Sequence, residues 1–197
     1  PDDNTSFPGT DYRNTDLANF SSSYKTAKYA NFEGTNLIGK NLQGSDYTGA
    51  NFQNANLTNT LSRNSTFHNA NLTNTNFAGA NIRGTDFNDT NLDTANLAGA
   101  WFDHTTIWPD GFDYLISGAF GPGVDFRSLN LSNFSASYTI ATNANFEGTN
   151  LYGKQLQASD FTGANFRNAN LTNASVRWGA KFPNANLTNT NFSGANI

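Results

Sequence analysis

Large apolar residues return at every fifth position over most of this chain. Phe32, Leu37, Leu42, Tyr47, Phe52 and Leu57 lie on one register, and Phe67, Leu72, Phe77, Ile82, Phe87, Leu92, Leu97, Phe102 and Ile107 continue it. Neither the helical period nor the strand period is five. A backbone that turns a corner every five residues has that period. The unit reads small, Asn or Asp, large apolar, variable, then Gly or Asn, as in Ala50-Asn51-Phe52-Gln53-Asn54, Ala55-Asn56-Leu57-Thr58-Asn59 and Ala70-Asn71-Leu72-Thr73-Asn74. The small and large residues are two apart, so on an extended stretch both point the same way, and both are predicted inside. Gly34, Gly39, Gly44, Gly49, Asn54 and Asn59 follow one another in the last place. These types tolerate the positive φ that a tight corner requires. The Asn before the large residue is expected to bond nearby backbone and hold the corner.

This pattern resembles the pentapeptide-repeat family, whose motif reads A-(D/N)-L-x-x, and the resemblance covers nearly all of the chain. It implies a right-handed, four-sided β-helix in which four pentapeptides make one coil and coils stack about 4.8 Å apart, as neighbouring strands do. The expected fold class is therefore all-β, a right-handed quadrilateral parallel β-helix.

A longer repeat lies above the short one. The stretch beginning at Ala30, ANFEGTNLIGKNLQGSDYTGANFQNANLTNT, returns from Ala144 as ANFEGTNLYGKQLQASDFTGANFRNANLTNA. From Asp11 and Asp125 onward the copies are roughly two-thirds identical over about fifty residues. The chain is thus expected to hold two duplicated arrays, residues 1–107 and 125–197, around an interrupting segment at 108–124, the second array ending without a cap. Both copies break the rule alike: Ser22 and Ala27 stand where large residues belong, with Phe20 and Tyr24 nearby, matched by Phe134 and Tyr138. A bulge or side loop partly covered by the aromatic is expected there. A second break follows Val176, where the next large residue is Phe182, so one extra residue and a bulge are predicted near Trp178. In the interrupting segment, Trp108, Pro109 and Phe112 resemble the closing stretch of cyanobacterial members of the family, with a short helical turn possible at Phe112–Ile116. SFPGTDY, which contains Phe7, echoes AFGPGVDF before the second array.

Composition changes the picture little. Mean hydropathy is −0.56 and hydrophobic residues make up 37% of the chain, values that suggest disorder until one interior side chain in five is seen to be enough. Seventeen Phe supply much of that interior. The net charge of −4 is spread out and offers no basic groove for phosphate, so no nucleic-acid partner is expected. No apolar run reaches membrane-spanning length, and no membrane insertion is expected. There is no Cys and no Met, and Pro1 is not a translation start. A removed secretory signal would fit, so an extracytoplasmic location (secreted, periplasmic or lumenal) is expected.

Candidate chemistry is thin, and no enzymatic activity, cofactor or metal is expected. His68 falls in an outward place. His104 stands near Asp103, Asp110 and Asp113 without ligand spacing. Glu33 and Glu147 are equivalent exposed charges rather than a catalytic pair. Lys40 and Lys154 replace the small inward residue and are expected to reach out past a distorted corner. Candidate contact residues are Trp178, Lys40, Lys154, Ile197, Phe192 and Phe7, and candidate closure residues are Trp108, Pro109 and Phe112. Trp101 is a further candidate to mark a contact surface, since Trp is enriched at binding hot spots. The Asn-x-Ser/Thr triplets, such as Asn56-Leu57-Thr58, arise automatically from the repeat.

The expected function is structural: a non-enzymatic solenoid that associates end to end with other copies of itself, or with other proteins, and can build filaments. A monomeric protein-binding scaffold of a cyanobacterial lumen or periplasm is the alternative. Gyrase interaction by DNA mimicry, known in the family, resembles this chain in fold only, since acidic residues here are sparse. Ice binding by flat Thr and Asn rows would need cleaner rows than the mixed outward places supply.

Overall fold

The computed structural model describes residues 8–13, 15, 17–114, 117–128, 131, 134 and 136–197. Among these the backbone pairs through parallel single-residue bridges, mostly to the residue twenty places on, such as Asn31 to Asn51 and Asn51 to Asn71, or Asn36 to Asn56 and Asn56 to Asn76. Twenty residues are four pentapeptides, so one coil has four sides. At each side the hydrogen bonds alternate between the coils above and below. Phe32 N–H donates to the Asn51 carbonyl at 2.7 Å, and Asn51 N–H donates to the Ala30 carbonyl at 2.9 Å. Most described corners close on themselves, as where Thr35 N–H donates to the Phe32 carbonyl at 3.1 Å.

The extended strands usual in an all-β chain are missing among the described residues, where one 3₁₀ turn at Phe126–Ser128 is the regular element present. Corners every five residues leave no room for a longer strand. The helical turn anticipated at Phe112–Ile116 falls partly outside the described residues, and 112–114 hold no helix.

Most corner residues adopt positive φ: +65° at Gly34, 59° at Asn54 and 56° at Asn59. An Asn or Asp before the large residue accepts from the N–H two places on, as Asn31 Oδ1 does from Glu33 at 3.1 Å, so the side chain fixes each approach to a corner. The same amides form ladders between coils. Asn51 Nδ2 donates to Asn31 Oδ1 and Asn71 Nδ2 to Asn51 Oδ1, both at 3.1 Å. Because Asn already holds this conformation at so many corners, Gly34→Asn is expected to leave the melting temperature nearly unchanged. Gly34→Ala should cost about 1 kcal/mol, since a Cβ there meets nothing but a left-handed backbone. Thermal melts of the two variants check the order.

Two compact units divide the chain, Pro1–Ala119 and Phe120–Ile197. In the first, rings stack along the coil axis: Tyr12 on Phe32 and Phe32 on Phe52, each at 4.6 Å, with a second column of Tyr47, Phe67 and Phe87. In the second, Phe126, Phe146 and Phe166 stack at 4.2 and 4.6 Å. Each such ring contributes about 1.5–3 kcal/mol by burial, with stacking adding to it.

The bulge expected at Ser22 and Ala27 is not formed. Thr26 pairs with Asp46 at the ordinary spacing, and both small residues are buried at regular interior places. Their missing volume comes from elsewhere. Phe20 sits in the small residue's place and packs edge-on against Tyr12 and Phe32, while the Tyr47 hydroxyl reaches Ser22 Oγ.

The extra residue after Val176 is present: Gln155 pairs twenty places on with Ser175, but Asp160 pairs twenty-one on with Lys181. A matching slip occurs in the first unit, where Asn81 pairs with Trp101 but Asp86 with Ile107. Ile107, expected inside, is therefore 52% exposed, and Trp108 takes the interior place.

Candidate functional site

Trp108 lies at the end of the first unit's second column. Its ring stacks on Phe87 at 5.7 Å, on Phe112 at 5.5 Å and on Tyr114 at 5.4 Å, and meets Phe102 edge-on. A turn brings this about: Phe112 N–H donates to the Pro109 carbonyl at 3.2 Å. Further on, Gly118 lies against Ala98, and Gly99 N–H donates to the Gly118 carbonyl. The three closure candidates are thus brought together.

The contact candidates are not. Lys40 is half-buried, and its ammonium donates to the Ala18 carbonyl one coil away. Its corner is regular, with Gly39 at φ +68° and Lys40 N–H on the Leu37 carbonyl, so the distortion expected there is not formed. Lys154 is also half-buried and is not free. Phe192 is half-buried and Ile197 is 86% exposed, in the coil that also holds Phe182 and Leu187. Phe7 lies outside the described residues. Trp101 is half-buried and engaged.

Trp178 is 68% exposed at φ 57°, directly before Gly179 at φ 77°. It borders a pocket of about 220 Å³ with Gln155, Gln157, Ser175 and Arg177. The sequence reading missed these neighbours. The coil length would have found them, since Gln157 and Arg177 are twenty residues apart.

Surface charge is organised locally. Arg13 grips Asp11 at 2.8 Å, and Arg127 grips the equivalent Asp125 at 2.6 Å. These side-chain hydrogen bonds hold both carboxyls below the usual carboxylate range. At Asp46 burial opposes ionisation, but the Thr48 hydroxyl and N–H together with Lys28 outweigh it, and the carboxyl is again low. The Thr162 hydroxyl does the same for Asp160. A carboxyl depressed in the folded state stabilises above its unfolded pKa of about 3.9. That stability is lost as pH falls through the lower folded value. Melting temperature should therefore hold from pH 7 to about 5 and fall modestly below about 4, since these carboxyls are largely exposed, and melts across that range test it. His68 Nδ1 faces Asp89 at 3.7 Å on the surface, and Glu33 and Glu147 face Arg13 and Arg167. Among the described residues no group of three or more His, Cys, Asp or Glu could hold a metal ion, and no helix is long and apolar enough to cross a membrane.

The profile of the family "Pentapeptide repeats" matches in 8 copies, over residues 28–61, 70–108, 142–177 and 178–197, which is more than half of the chain. The chain belongs to the pentapeptide-repeat family. The right-handed quadrilateral β-helix of that family is the architecture that the twenty-residue bridges trace. Among solved structures the chain is similar to HetL, a pentapeptide repeat protein involved in heterocyst differentiation regulation from the cyanobacterium Nostoc sp. strain PCC 7120. The two are 22% identical, with 87% of this chain and 76% of HetL covered and a TM-score of 0.39. It is also similar to a pentapeptide repeat protein from the Arabidopsis thaliana thylakoid lumen, at 27% identity, 64% and 82% coverage and a TM-score of 0.31. Full-length QnrB1, a plasmid-mediated fluoroquinolone resistance protein, aligns at 14% identity over 96% and 90% of the two chains, with a TM-score of 0.33. No curated protein matches the chain.

Proposed function

We propose that this pentapeptide-repeat chain is a non-enzymatic scaffold that acts through protein–protein contact on the outside of its coils. The observation that carries the reading is the division of labour within each pentapeptide. Large residues such as Phe67, Phe87 and Phe146 are fully buried, while the surface carries amide ladders and exposed aromatics such as Tyr24, Tyr29, Tyr138 and Tyr152. Exposed aromatic rings on a rigid frame suit protein contacts. Two duplicated arrays fit this use, since the shared sequence from Asp11 and Asp125 gives two versions of one surface.

Self-association end to end is the finer form of the proposal. The coil at 182–197 exposes Leu187 and Ile197 and half-exposes Phe182 and Phe192. A further coil of the same pattern, from a continuing chain or from a second copy, fits that surface. Light scattering of the 197-residue chain over a wide concentration range should show growing assemblies, and negative-stain micrographs should show linear particles. Strictly monomeric behaviour at every concentration would contradict self-association and leave hetero-association, read by cross-linking to partners in the native cell extract. An extracytoplasmic location remains part of the proposal, supported by the sparsely charged polar surface, and cell fractionation tests it.

A further inference from the structure

The two units carry the same side chains at one place and use them differently. In the first unit, Arg63 Nη2 donates to Gln43 Oε1 at 2.8 Å, Gln43 Nε2 donates to the Tyr24 hydroxyl at 2.5 Å, and Leu61 and Asn64 stand beside them. The equivalents in the second unit are Gln157, Arg177, Tyr138, Ser175 and Trp178. There Gln157 Oε1 is buried without a hydrogen-bond partner. Arg177 is exposed, whereas the equivalent Arg63 is half-buried with its guanidinium on Gln43. The one-residue insertion after Val176 separates this corner from its counterpart and leaves the Trp178 ring open to solvent. A pocket of about 220 Å³ lies between these groups.

We propose that this pocket binds one pyranose ring of an oligosaccharide. Three unmet needs converge on that ligand. A buried carbonyl oxygen without a partner is costly and calls for an O–H or N–H donor, which a sugar hydroxyl supplies. Arg177 calls for an acceptor, either a ring hydroxyl of a neutral sugar or the carboxylate of a uronic acid. The Trp178 face calls for a flat apolar partner, and the C–H face of a pyranose is one. Ser175 and Gln155 add hydroxyl and amide groups at the rim. The pocket is smaller than the roughly 300–1,000 Å³ usual for drug-sized ligands, so one ring is what it encloses. A nucleotide would satisfy the ring and the guanidinium, but its phosphate charge disfavours a chain of net charge −4.

Tryptophan fluorescence titrations with cellohexaose, with oligogalacturonate and with adenosine monophosphate test the proposal. A saturable change with at least one of the two saccharides is expected at millimolar concentration or below, and the better of the two identifies the partner of Arg177. Trp178→Asn keeps a residue suited to the corner and should abolish saccharide binding as read by calorimetry. Gln157→Met should weaken binding by at least tenfold, followed by calorimetry, while leaving the melting temperature unchanged or raised, because the carbonyl it removes has no partner in the fold. No saccharide response in the folded chain, response to adenosine monophosphate alone, or full binding by both variants would overturn it.

Discussion

Replacing Phe67 with alanine is expected to lower the unfolding free energy by about 3–5 kcal/mol, the usual cost of removing a buried aromatic ring. Phe67 is fully buried in the middle of the first unit. It stacks on Tyr47 at 5.1 Å and on Phe87 at 5.6 Å, and meets Phe52 and Phe77 edge-on at 5.3 and 5.8 Å. Removing it opens a gap in a column whose neighbours are held by fixed corners and cannot collapse inward. Phe67→Leu should cost much less, because Leu72 and Leu57 fill interior places of the same kind. Denaturant melts followed by circular dichroism read both. Equal effects of the two substitutions would mean that column packing is not what the ring supplies.

Ser22→Ala is expected to cost about 1–3 kcal/mol, the penalty for depriving a buried polar group of a partner. Tyr47 is fully buried, and burial pushes its phenol pKa up. Its hydroxyl is hydrogen-bonded to Ser22, one coil and one side away, while Ser45 donates to the Ser22 carbonyl. The second unit dispenses with the pair. The equivalents of Tyr47 and Ser22 are Phe161 and Ala136, both buried, and Ser159 keeps the bond to the carbonyl of residue 136. Both hydroxyls are present together or absent together. The double variant Ser22→Ala/Tyr47→Phe copies the second unit and should recover most of the stability lost by Ser22→Ala alone. A double-mutant cycle on thermal melts measures this coupling, and strictly additive losses would contradict it.

The pentapeptide period, the inward places and the positive-φ corners were legible because each rests on one residue's own sterics. A Gly or Asn every five residues states a corner wherever it falls. What escaped depends on residues a coil apart. Ser22 and Ala27 read as a bulge because the groups that fill their space, Phe20 and the Tyr47 hydroxyl, become neighbours only once the coil is closed. The slip before Ile107 was hidden by chance chemistry. An apolar residue landed on the expected fifth place although it points outward, and the true interior residue was the Trp next to it. In the second unit the polar Lys181 in the matching place made the same slip visible. The pocket at Trp178 was half legible. The exposed ring stood out, while its partners Gln157 and Arg177 needed the twenty-residue spacing to be placed together.

Paired cysteines probe that twenty-residue spacing, since the chain has no Cys of its own. Asn56 and Asn76 pair across adjacent coils, and neighbouring strands about 4.8 Å apart fall within the Cα range of a disulfide. Asn56→Cys/Asn76→Cys should cross-link readily on mild oxidation in the folded chain. Asn56→Cys/Thr66→Cys, two sides away around the coil, should stay reduced. Cross-linking of the second pair, or free thiols in the first, would contradict a coil of four pentapeptides.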